Sequence, residues 1–433
     1  MENILARASS IADEAEVFIT SSEETPVEFE ANRLKHMQSK QSSSIALRII
    51  KDGRIGYSTT TSDDDIDNLV ESALATAQFG TEAHFTMPSL TTYPEVEVFD
   101  PAVEKVSLEQ MAELGQKLID AVRADTPDIV CEASVTRATA SVNIMNSRGG
   151  QAGYRESVFS IGIEGQLIRG TDMLFVGEHR SSCHPVLDTE SIIKVVLRQL
   201  ELARKQASIR TKKLPVIFTP MGIASAFVRP LMTAFGGKTV LEGASPIGDK
   251  LGQKAFDSKL SLRDDPTVAY CPGSGPCDDE AVPSECTTLI TEGIVSNFLY
   301  DLQTAALANT RSTGNGHRSP GGLPTPSPSV LIIAPGTTSF DDMISDIKEG
   351  LIVEQLMGAS QGNVLGGDFS GNVLLGYKVE KGKIVGRVKD TMVSGNVYDI
   401  LNDISAVGND SKWLGGFLNT PSIYCPGVSV ASK

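Results

Sequence analysis

Histidine and cysteine are the side chains best suited to bind a transition metal, and they come closest together at His179, Cys183 and His184. A metal site needs ligands that converge on one point. On a strand, His179 and His184 would point to opposite faces because their spacing is odd, so only His179 and Cys183 could share a face. The span allows two interpretations, a metal-binding group or a polar loop that follows a strand.

A second group of reactive side chains lies between residues 271 and 286. Cys271, Cys277 and Cys286 lack the CxxC spacing of zinc sites, so free thiols are the simpler interpretation. The acidic run at 278–280 could supply paired carboxylates, whereas a solvated loop is the commoner outcome for such a run.

Two short motifs agree only in part with catalytic or nucleotide-binding patterns. Residues 358–362 read GASQG, the GxSxG of a nucleophile elbow, but three glycines at 366, 367 and 371 disfavour the helix that must follow. Residues 237–239 read GKT, the end of a phosphate loop, but Met232 stands where the first glycine of that loop belongs. We therefore expect a tight turn at Ser360 and no nucleotide site.

The balance of charge argues against several classes of partner. The 433 residues include 38 basic and 54 acidic side chains, which gives a net charge of -16. Phosphates and anionic lipids attract basic surfaces, so we expect neither nucleic acid nor a membrane as the main partner. The first 20 residues lack the pattern of a signal peptide, and no apolar stretch is long enough to span a membrane. Together with six scattered cysteines, these features predict a cytoplasmic protein with reduced thiols.

The first half of the sequence alternates between strand and helix patterns. Strands are predicted at 15–20 and 27–31, and Asp52-Gly53 predicts a hairpin between two alternating segments. Helices are predicted from the acidic triplet at 63–65 to Gly80, from Ser107 through Val122, and over 189–208. Residues 129–176 have the alternation of an antiparallel meander.

Beyond residue 212 the sequence becomes richer in glycine and its predicted strands become shorter. A buried strand is predicted at 214–218, and Pro230 makes any helix over 221–235 short or kinked. Residues 314–329 predict a loop, and 340–352 have a helical pattern. We therefore predict an α+β protein, with an N-terminal α/β-type domain (1–212) of strands and helices and a Gly-rich, mainly antiparallel β C-terminal domain (213–433).

Short segments of the C-terminal half resemble, in order and spacing, the TldD/PmbA family, first labelled modulators of DNA gyrase and later metalloproteases. The segments that carry the resemblance are LPVIF at 214–218, DKLG at 249–252, DP at 265–266, EG at 292–293, FLYD at 298–301, STGN at 312–315, GL at 350–351, GDFS at 367–370 and SGN at 394–396. The N-terminal hairpin and the helix after it extend the resemblance to nearly the whole chain.

A zinc motif separates the two branches of this family. The TldD branch carries HExxxH, which supplies zinc ligands and a general base for peptide hydrolysis, and a cysteine ligand near the C-terminus. Counted from Pro215, the motif would fall at 228–233, where this chain reads VRPLMT. No histidine lies between His184 and His317, and the Gly-rich stretch 408–420 has no cysteine. The sequence is therefore similar to the PmbA branch, also called TldE.

The resemblance implies a cytoplasmic subunit of a TldD/TldE-type metallopeptidase that acts on unfolded peptides. This chain would hold no metal and no catalytic residue, and the zinc would belong to a TldD-like partner with HExxxH. The candidates for the substrate cleft lie in or beside Gly-rich loops and are Arg311, Thr313, Gly314, Asn315, His317, Asp368, Ser370 and Asn396. A Gly-rich loop lets a peptide backbone approach closely, although each loop could equally be a tight turn between strands.

Two further expectations concern the loop at 314–329 and the assembly. We expect the loop to form a flap over the cleft, with Arg311, His317 and Arg318 free to bind acidic groups of a peptide. We expect a dimer, homomeric when the chain is alone and heteromeric with the TldD-like paralogue, because the short C-terminal strands leave sheet edges that need covering.

Two other hypotheses remain open at the level of the sequence. One is a stand-alone, homodimeric protein that binds peptides or regulates without hydrolysis. The other is an enzyme with a site of its own, built from His179, Cys183 or the cysteines between 271 and 286. The zinc content of the purified chain distinguishes the enzyme with its own site from the other hypotheses. Co-purification of a paralogue with HExxxH distinguishes the peptidase subunit from the stand-alone protein.

Overall fold

The computed structural model describes residues 1–62, 65–319 and 321–432 of the chain. Helix accounts for 23% and strand for 41%, and most neighbouring strands are antiparallel. The predicted α+β class is therefore confirmed.

The elements alternate through the N-terminal half and shorten in the C-terminal half. The helices of the described residues are α1 (Glu2–Ser9), α2 (Ile66–Ala77), α3 (Ala102–Lys105), α4 (Leu108–Asp125), α5 (Thr189–Ala203), α6 (Pro220–Ala226), α7 (Val228–Phe235), α8 (Gly237–Leu241), α9 (Leu302–Leu307), α10 (Phe340–Asp346) and α11 (Val397–Leu401). The strands are β1 (Glu14–Glu30), β2 (Arg33–Met37), β3 (Lys40–Lys51), β4 (Arg54–Thr60), β5 (Val130–Asn146), β6 (Gln151–Arg169), β7 (Asp172–Ser182), β8 (Lys212–Phe218), β9 (Leu262–Asp264), β10 (Thr287–Thr291), β11 (Ile294–Val295), β12 (Gly316–Arg318), β13 (Pro324–Pro326), β14 (Leu331–Ile333), β15 (Glu349–Met357), β16 (Asp368–Glu380), β17 (Lys383–Arg387), β18 (Thr391–Asn396), β19 (Ala406–Val407), β20 (Lys412–Leu414), β21 (Leu418–Thr420) and β22 (Ile423–Ser432).

A seven-stranded antiparallel sheet forms most of the N-terminal half, in the order β4-β3-β1-β5-β6-β7 with β2 paired to β1. Strand β1 is continuous, so the gap predicted between 20 and 27 is wrong, because the intervening polar residues pair with β3 and β5. The predicted hairpin is confirmed: Asp52 and Gly53 have positive φ of 50° and 73°, as a two-residue turn requires. The meander predicted at 129–176 is confirmed as β5, β6 and β7.

The helices that pack on this sheet begin at the residues that the sequence predicts. Asp65 caps α2, Ser107 caps α4 in a capping box, and Asp188 caps α5. The other two acids of the predicted helix start, Asp63 and Asp64, lie outside the described residues. None of the helices described is long and apolar enough to cross a membrane.

Two main sheets form the C-terminal half, together with the two-stranded β12–β13 hairpin. One follows the order β15-β8-β22-β18-β16, and β16 also pairs with β15, so these strands close into a ring, with β17 attached to β16. The other follows the order β11-β10-β9-β14-β21-β20. The helix predicted over 340–352 is correct only as far as α10, because the chain from Glu349 onward pairs with β8 and β16 as β15. Within the described residues the ring has closed on itself, but the other sheet ends at the edge strands β11 and β20, so the expectation that C-terminal sheet edges need covering stays a prediction.

The two halves of the chain share one of their hydrophobic cores. Val27 of β1 and Ile192 of α5 belong to the same buried cluster as Ile217 of β8 and Tyr377 of β16. Side chains from both halves therefore meet along a wide boundary, where cavities form. The division at 212/213 stays a prediction, because the shared core does not separate the halves.

Candidate functional site

Helix α7 occupies the part of the chain where the resemblance would place HExxxH. The helix before it, α6, begins with Pro220 and is capped by the Thr219 hydroxyl, and α7 follows directly after Phe227. Pro230 falls in the first turn of α7, where its missing N–H costs no hydrogen bond within the helix. The predicted short helix around Pro230 is therefore confirmed.

The accessible side of α7 offers no zinc ligand. Arg229 is exposed, Met232 and Thr233 are half-buried, and the Thr233 hydroxyl donates to the Arg229 carbonyl over 2.9 Å. None of these three supplies the imidazole, thiolate or carboxylate that zinc prefers, so residues 228–233 do not fit the metal. Across the part of the chain that the structure describes, no three His, Cys, Asp or Glu side chains converge as a metal site would require.

Strand β16 begins beside α7 and brings three of the predicted cleft residues together. Asp368 lies opposite Asn396 of β18 and accepts a hydrogen bond of 3.0 Å from its amide. Asn396 also donates to the Gly366 carbonyl over 2.7 Å and caps α11. Ser370 lies two residues along β16 and is exposed on the same face as Asp368.

Tyr398 holds the start of β16 against α7. Its hydroxyl lies 3.4 Å from the carbonyl oxygens of Pro230 and Leu365, either of which can accept its hydrogen bond. A Cβ at Gly367 would stand 2.3 Å from Tyr398 Cε2, and Gly367 has a φ of 83°, so the position suits glycine alone. The loop before β16 can therefore lie directly against the tyrosine ring.

Exposed methionines border this polar strip. Met357 of β15 and Met392 of β18 both lie opposite Asn372 of β16, and they are 55% and 42% exposed. Directly opposed residues on antiparallel strands share a face. We name this surface the Asp368 face, with the members Asp368, Ser370, Asn372, Asn396, Met357 and Met392. Adaptable methionines beside hydrogen-bonding groups suit contact with a peptide or a second protein.

The other predicted cleft residues lie apart from the Asp368 face, and most of them serve the fold. Thr313 and Asn315 are 5% and 1% exposed, and the Thr313 hydroxyl donates to Asn315 Oδ1 over 2.7 Å. The Asn315 amide donates to buried Asp264 over 2.6 Å, and Gly314 makes the turn between the two side chains. Arg311 is exposed and pairs with a neighbouring carboxylate, Glu285. Thr313 and Asn315 are therefore too buried to line a cleft.

His317 differs from them, because it lines a cavity of about 500 Å³ between the two halves. Its ring Nε2 lies 2.8 Å from the Ser329 hydroxyl, and the β12–β13 hairpin forms one wall. Strands of the N-terminal sheet form the opposite wall with Phe18, Tyr57 and Tyr154. We name this space the Tyr154 cavity.

Arg318 is not free to bind a peptide, so its part in the predicted basic flap is wrong. Its side chain is 5% exposed and pairs with Glu16, while its backbone N–H donates to Asp279 over 2.7 Å. Arg48 binds the same Glu16 over 2.9 Å and also Glu280 over 2.5 Å. Burial alone would lower the pKa of Arg48, and the two carboxylates instead raise it above its ordinary value. The segment is thus a hairpin fixed by ion pairs between the halves.

The acidic run at 278–280 is buried, so the solvated-loop interpretation is wrong. Asp278 and Glu280 are 1% and 0% exposed, and burial together with Glu280 raises the pKa of Asp278. Asp279 instead lines the Tyr154 cavity with Glu156 of β6. Burial, and then the charge of Asp279, raise the pKa of Glu156. The carboxylates that line the cavity together are therefore Asp279 of the run and Glu156, which lies outside it, and together they can attract a cation or hold a proton.

The structure separates His179, Cys183 and His184. His179 faces Glu164 at 3.3 Å, whereas His184 binds Asp100 at 2.6 Å. Cys183 is buried, and that burial raises its pKa to about 12. The interpretation as a polar loop after a strand therefore fits 183–184, and among the described residues these three side chains do not converge as a metal site requires.

The remaining reactive residues are also dispersed. Cys271 donates from its sulfur to the Gly416 carbonyl, Cys277 packs under the N-terminal sheet, and Cys286 is exposed. Ser360 lies in a single 3-10 turn over Ala359–Gln361, and the chain then continues without a helix into β16. The cysteines form no common site, and the expected tight turn at Ser360 is confirmed.

Protein-family models match the parts of the chain that contain α7 and the Asp368 face. The PmbA/TldA metallopeptidase C-terminal domain matches residues 211–432, which is more than half of the chain, and domain 1 of the same family matches residues 15–77. The chain belongs to the PmbA/TldA metallopeptidase family. The resemblance predicted from the short segments is thereby confirmed.

Relatives of the PmbA/TldA family extend over the full length of the chain. An uncharacterized protein of Methanocaldococcus jannaschii is 26% identical over 436 residues, which covers 99% of both chains. Metalloprotease PmbA of Escherichia coli O157:H7 is 26% identical over 446 residues, which covers 99% of this chain and 94% of that protein.

The crystal structure of TldE from Thermococcus kodakarensis covers 100% of both chains with a TM-score of 0.90 at 23% identity. A Thermotoga maritima protein described as a candidate modulator of a DNA gyrase gives a TM-score of 0.89 at 23% identity over 99% of both chains. These structural likenesses show the PmbA/TldA fold alone.

The Tyr154 cavity is the feature that the sequence predictions missed. Its strand residues occur in pairs two apart, such as Tyr57 with Thr59 and Tyr154 with Glu156, so that polar and aromatic side chains share a sheet face. That alternation can be read from the sequence. The closure of the face by the β12–β13 hairpin cannot, because it depends on ion pairs between residues far apart in the chain.

Proposed function

We propose that this chain is a non-catalytic subunit of a TldD/TldE-type metallopeptidase. The observation that carries the proposal is α7, whose accessible side presents Arg229, Met232 and Thr233 where the catalytic branch has zinc ligands. Hydrolysis by zinc needs about three protein ligands and an open coordination position. The likeness in fold to TldE and the full-length match to PmbA support the part of this proposal that concerns the family. In this proposal a TldD-like partner with HExxxH supplies the zinc and the general base.

The Asp368 face is the surface that we assign to the unfolded peptide substrate or to that partner. It lies directly beside α7, where the partner's metal would have to approach if the two chains share an interior. Its amide, hydroxyl and carboxylate groups can pair with a peptide backbone, and Met357 and Met392 can adapt to different side chains. We propose that the complex is cytoplasmic, because the free cysteines of this chain would stay reduced in that compartment.

Elemental analysis and a binding experiment with the full chain test this proposal. The purified chain should contain no stoichiometric zinc and should hydrolyse no unfolded peptide, and a tagged copy should recover a paralogue with HExxxH. Replacing both Met357 and Met392 by serine should reduce that recovery. Met173→Ser is the control, because Met173 is 48% exposed on β7 and lies outside the Asp368 face. This variant should recover as much paralogue as the unchanged chain.

Two results would overturn the proposal. One is about one zinc per chain that only a strong chelator removes, accompanied by hydrolysis from the chain alone. The other is binding of unfolded peptides without recovery of any paralogue, which would favour the stand-alone, homodimeric binding protein. We do not propose direct modulation of DNA gyrase, because a net charge of -16 does not favour binding to DNA.

A further inference from the structure

A second cavity between the two halves has no part in the proposed function. It encloses about 400 Å³ between α5 and β7 on one side and β15, β16 and the start of α6 on the other. Its walls include apolar side chains from both halves, namely Phe175, Val195, Leu202, Met221, Phe340 and Leu374. A cavity of this size and character accommodates a small organic molecule. We name it the Glu354 cavity.

Several of the charged groups that line this cavity are already paired. Glu178 is 3% exposed, with Oε2 at 2.5 Å from Lys412 Nζ and Oε1 at 2.9 Å from Arg180 Nε. Asp410 accepts hydrogen bonds from both the backbone N–H and the hydroxyl of Ser422. These groups form a fixed polar floor, and none of them is left to bind a ligand ion strongly.

Two groups of opposite charge face the same space without an ion-pair partner among the described residues. The half-buried Glu354 carboxylate accepts a hydrogen bond of 3.2 Å from the Thr219 hydroxyl, and Arg198 of α5 lies exposed at the rim. Burial raises the pKa of Glu354, and the Thr219 hydrogen bond and the charges of Lys412 and Arg198 oppose that rise only in part, so a bound cation would oppose it further. Glu132 is exposed at the rim, and Glu164 faces His179.

We propose that the Glu354 cavity binds a zwitterionic molecule with an apolar body, namely a short apolar peptide or an apolar amino acid. The ligand's ammonium group binds Glu354, its carboxylate binds Arg198, and its side chains contact the apolar walls. Hydrogen bonds between two charged groups are the strongest available to such a ligand, and the planar guanidinium suits a carboxylate. No residue of α7 or of the Asp368 face lines this cavity, so the inference is independent of the proposed function.

Isothermal titration calorimetry of the full chain with the dipeptide L-leucyl-L-leucine tests the site. The dipeptide should bind with saturation, and its C-terminal amide and its N-acetyl form should each bind about tenfold more weakly or worse, because each lacks one charge. No saturable binding of the dipeptide at millimolar concentration would overturn the proposal. Equal binding of all three compounds would overturn it too.

Two variants assign the two charges to their residues. Arg198→Gln should weaken binding of the dipeptide about tenfold and remove the preference over the amide, and Glu354→Gln should do the same with respect to the N-acetyl form. Lys194→Gln and Glu201→Gln are matched charge changes on exposed positions of α5 outside the cavity, and they should leave binding unchanged. Wild-type affinity in Arg198→Gln would overturn the proposal. If Glu354→Gln does not fold, the comparison of the three compounds on the wild-type chain still decides the role of the ammonium group.

Discussion

Individual charged residues between the two halves fix the geometry of the Tyr154 cavity. Glu16 accepts from both Arg48 and Arg318, so one buried carboxylate joins the N-terminal sheet to the β12–β13 hairpin. Removing one partner of a buried ion pair typically costs about 3–5 kcal/mol, because the other charge is left without compensation. These residues therefore position the hairpin over the cavity, and they are not available to a ligand.

Glu156 in that cavity gives a prediction about pH. Burial and the charge of Asp279 raise its folded-state pKa above the ordinary value of 4.5. The folded protein then holds this proton more strongly than the unfolded chain, so stability falls as pH rises through the interval between the two pKa values. Glu156→Gln cannot ionise, so at neutral pH it should melt at a higher temperature than the wild type. Below the ordinary pKa the difference should shrink toward zero, which thermal melts across the pH range measure.

The matched control for that experiment is Glu113→Gln. Glu113 lies exposed on α4, outside the cavity. This variant should follow the wild-type dependence of melting temperature on pH. A Glu156→Gln variant that melts below the wild type at neutral pH would show that the ionised carboxylate stabilises the fold, against this account.

At the residue scale, the sequence predicts reliably that a motif is missing, but it does not predict contacts between residues that are distant in the chain. The lack of histidine between His184 and His317 removes HExxxH under any alignment, and the structure only adds that α7 carries no substitute ligand. The pairing of Arg318 with Glu16, 302 residues away, has no local signal. The same is true of Asn315, whose polar side chain indicates a cleft residue in sequence but lies bonded to Asp264.

At the scale of elements, the pairing of β12 with β13 changes what we expect when this segment is shortened. The composition of the segment indicates a free loop, whereas the structure has a hairpin. A free flap could be deleted over 321–328 with little loss of melting temperature. In the structure that deletion removes β13 and the hydrogen bond of 3.0 Å from the Ser327 N–H to the Asn315 carbonyl. We therefore expect the deletion to reduce the free energy of unfolding by about 1–3 kcal/mol. The melting temperature should fall accordingly. Calorimetry of the purified variant measures this change.

Thr325→Ala provides the comparison for the hairpin deletion. Thr325 is exposed on β13 and opposite His317, so its loss leaves the backbone pairing intact and should not change the melting temperature. A deletion variant that melts with the wild type would restore the interpretation as a free flap.

Elements with strong local signals are predicted well, and those decided by distant pairing are not. Asp52-Gly53 and the Ser107 capping box fix a turn and a helix start through local backbone requirements. The segment 340–352 has a helical pattern throughout, yet its second part becomes β15 because two distant strands, β8 and β16, offer it hydrogen bonds. The continuity of β1 likewise depends on β3 and β5, not on its own polar middle.

At the scale of the whole molecule, the closed ring of the C-terminal half does not need a partner to complete it, whereas the other C-terminal sheet ends at the edge strands β11 and β20. The ring of β15, β8, β22, β18 and β16 closes within the described residues, and the two halves share a core. A chain of this length can also bury enough surface to fold alone. In the proposed function the reason for assembly is chemical, because a subunit without zinc ligands would contribute to hydrolysis only where another subunit supplies them.

Peptide hydrolysis by the chain, by its HExxxH-bearing paralogue and by their equimolar mixture tests that claim most directly, with light scattering on the same samples. The mixture should hydrolyse an unfolded peptide faster than the sum of the separate chains and should form a heterodimer. This chain alone should be inactive and should have twice the mass of its 46.1 kDa monomer. Chelator-sensitive hydrolysis by this chain alone would contradict the account. So would a mixture no faster than the paralogue, in which this chain remains a 46.1 kDa monomer.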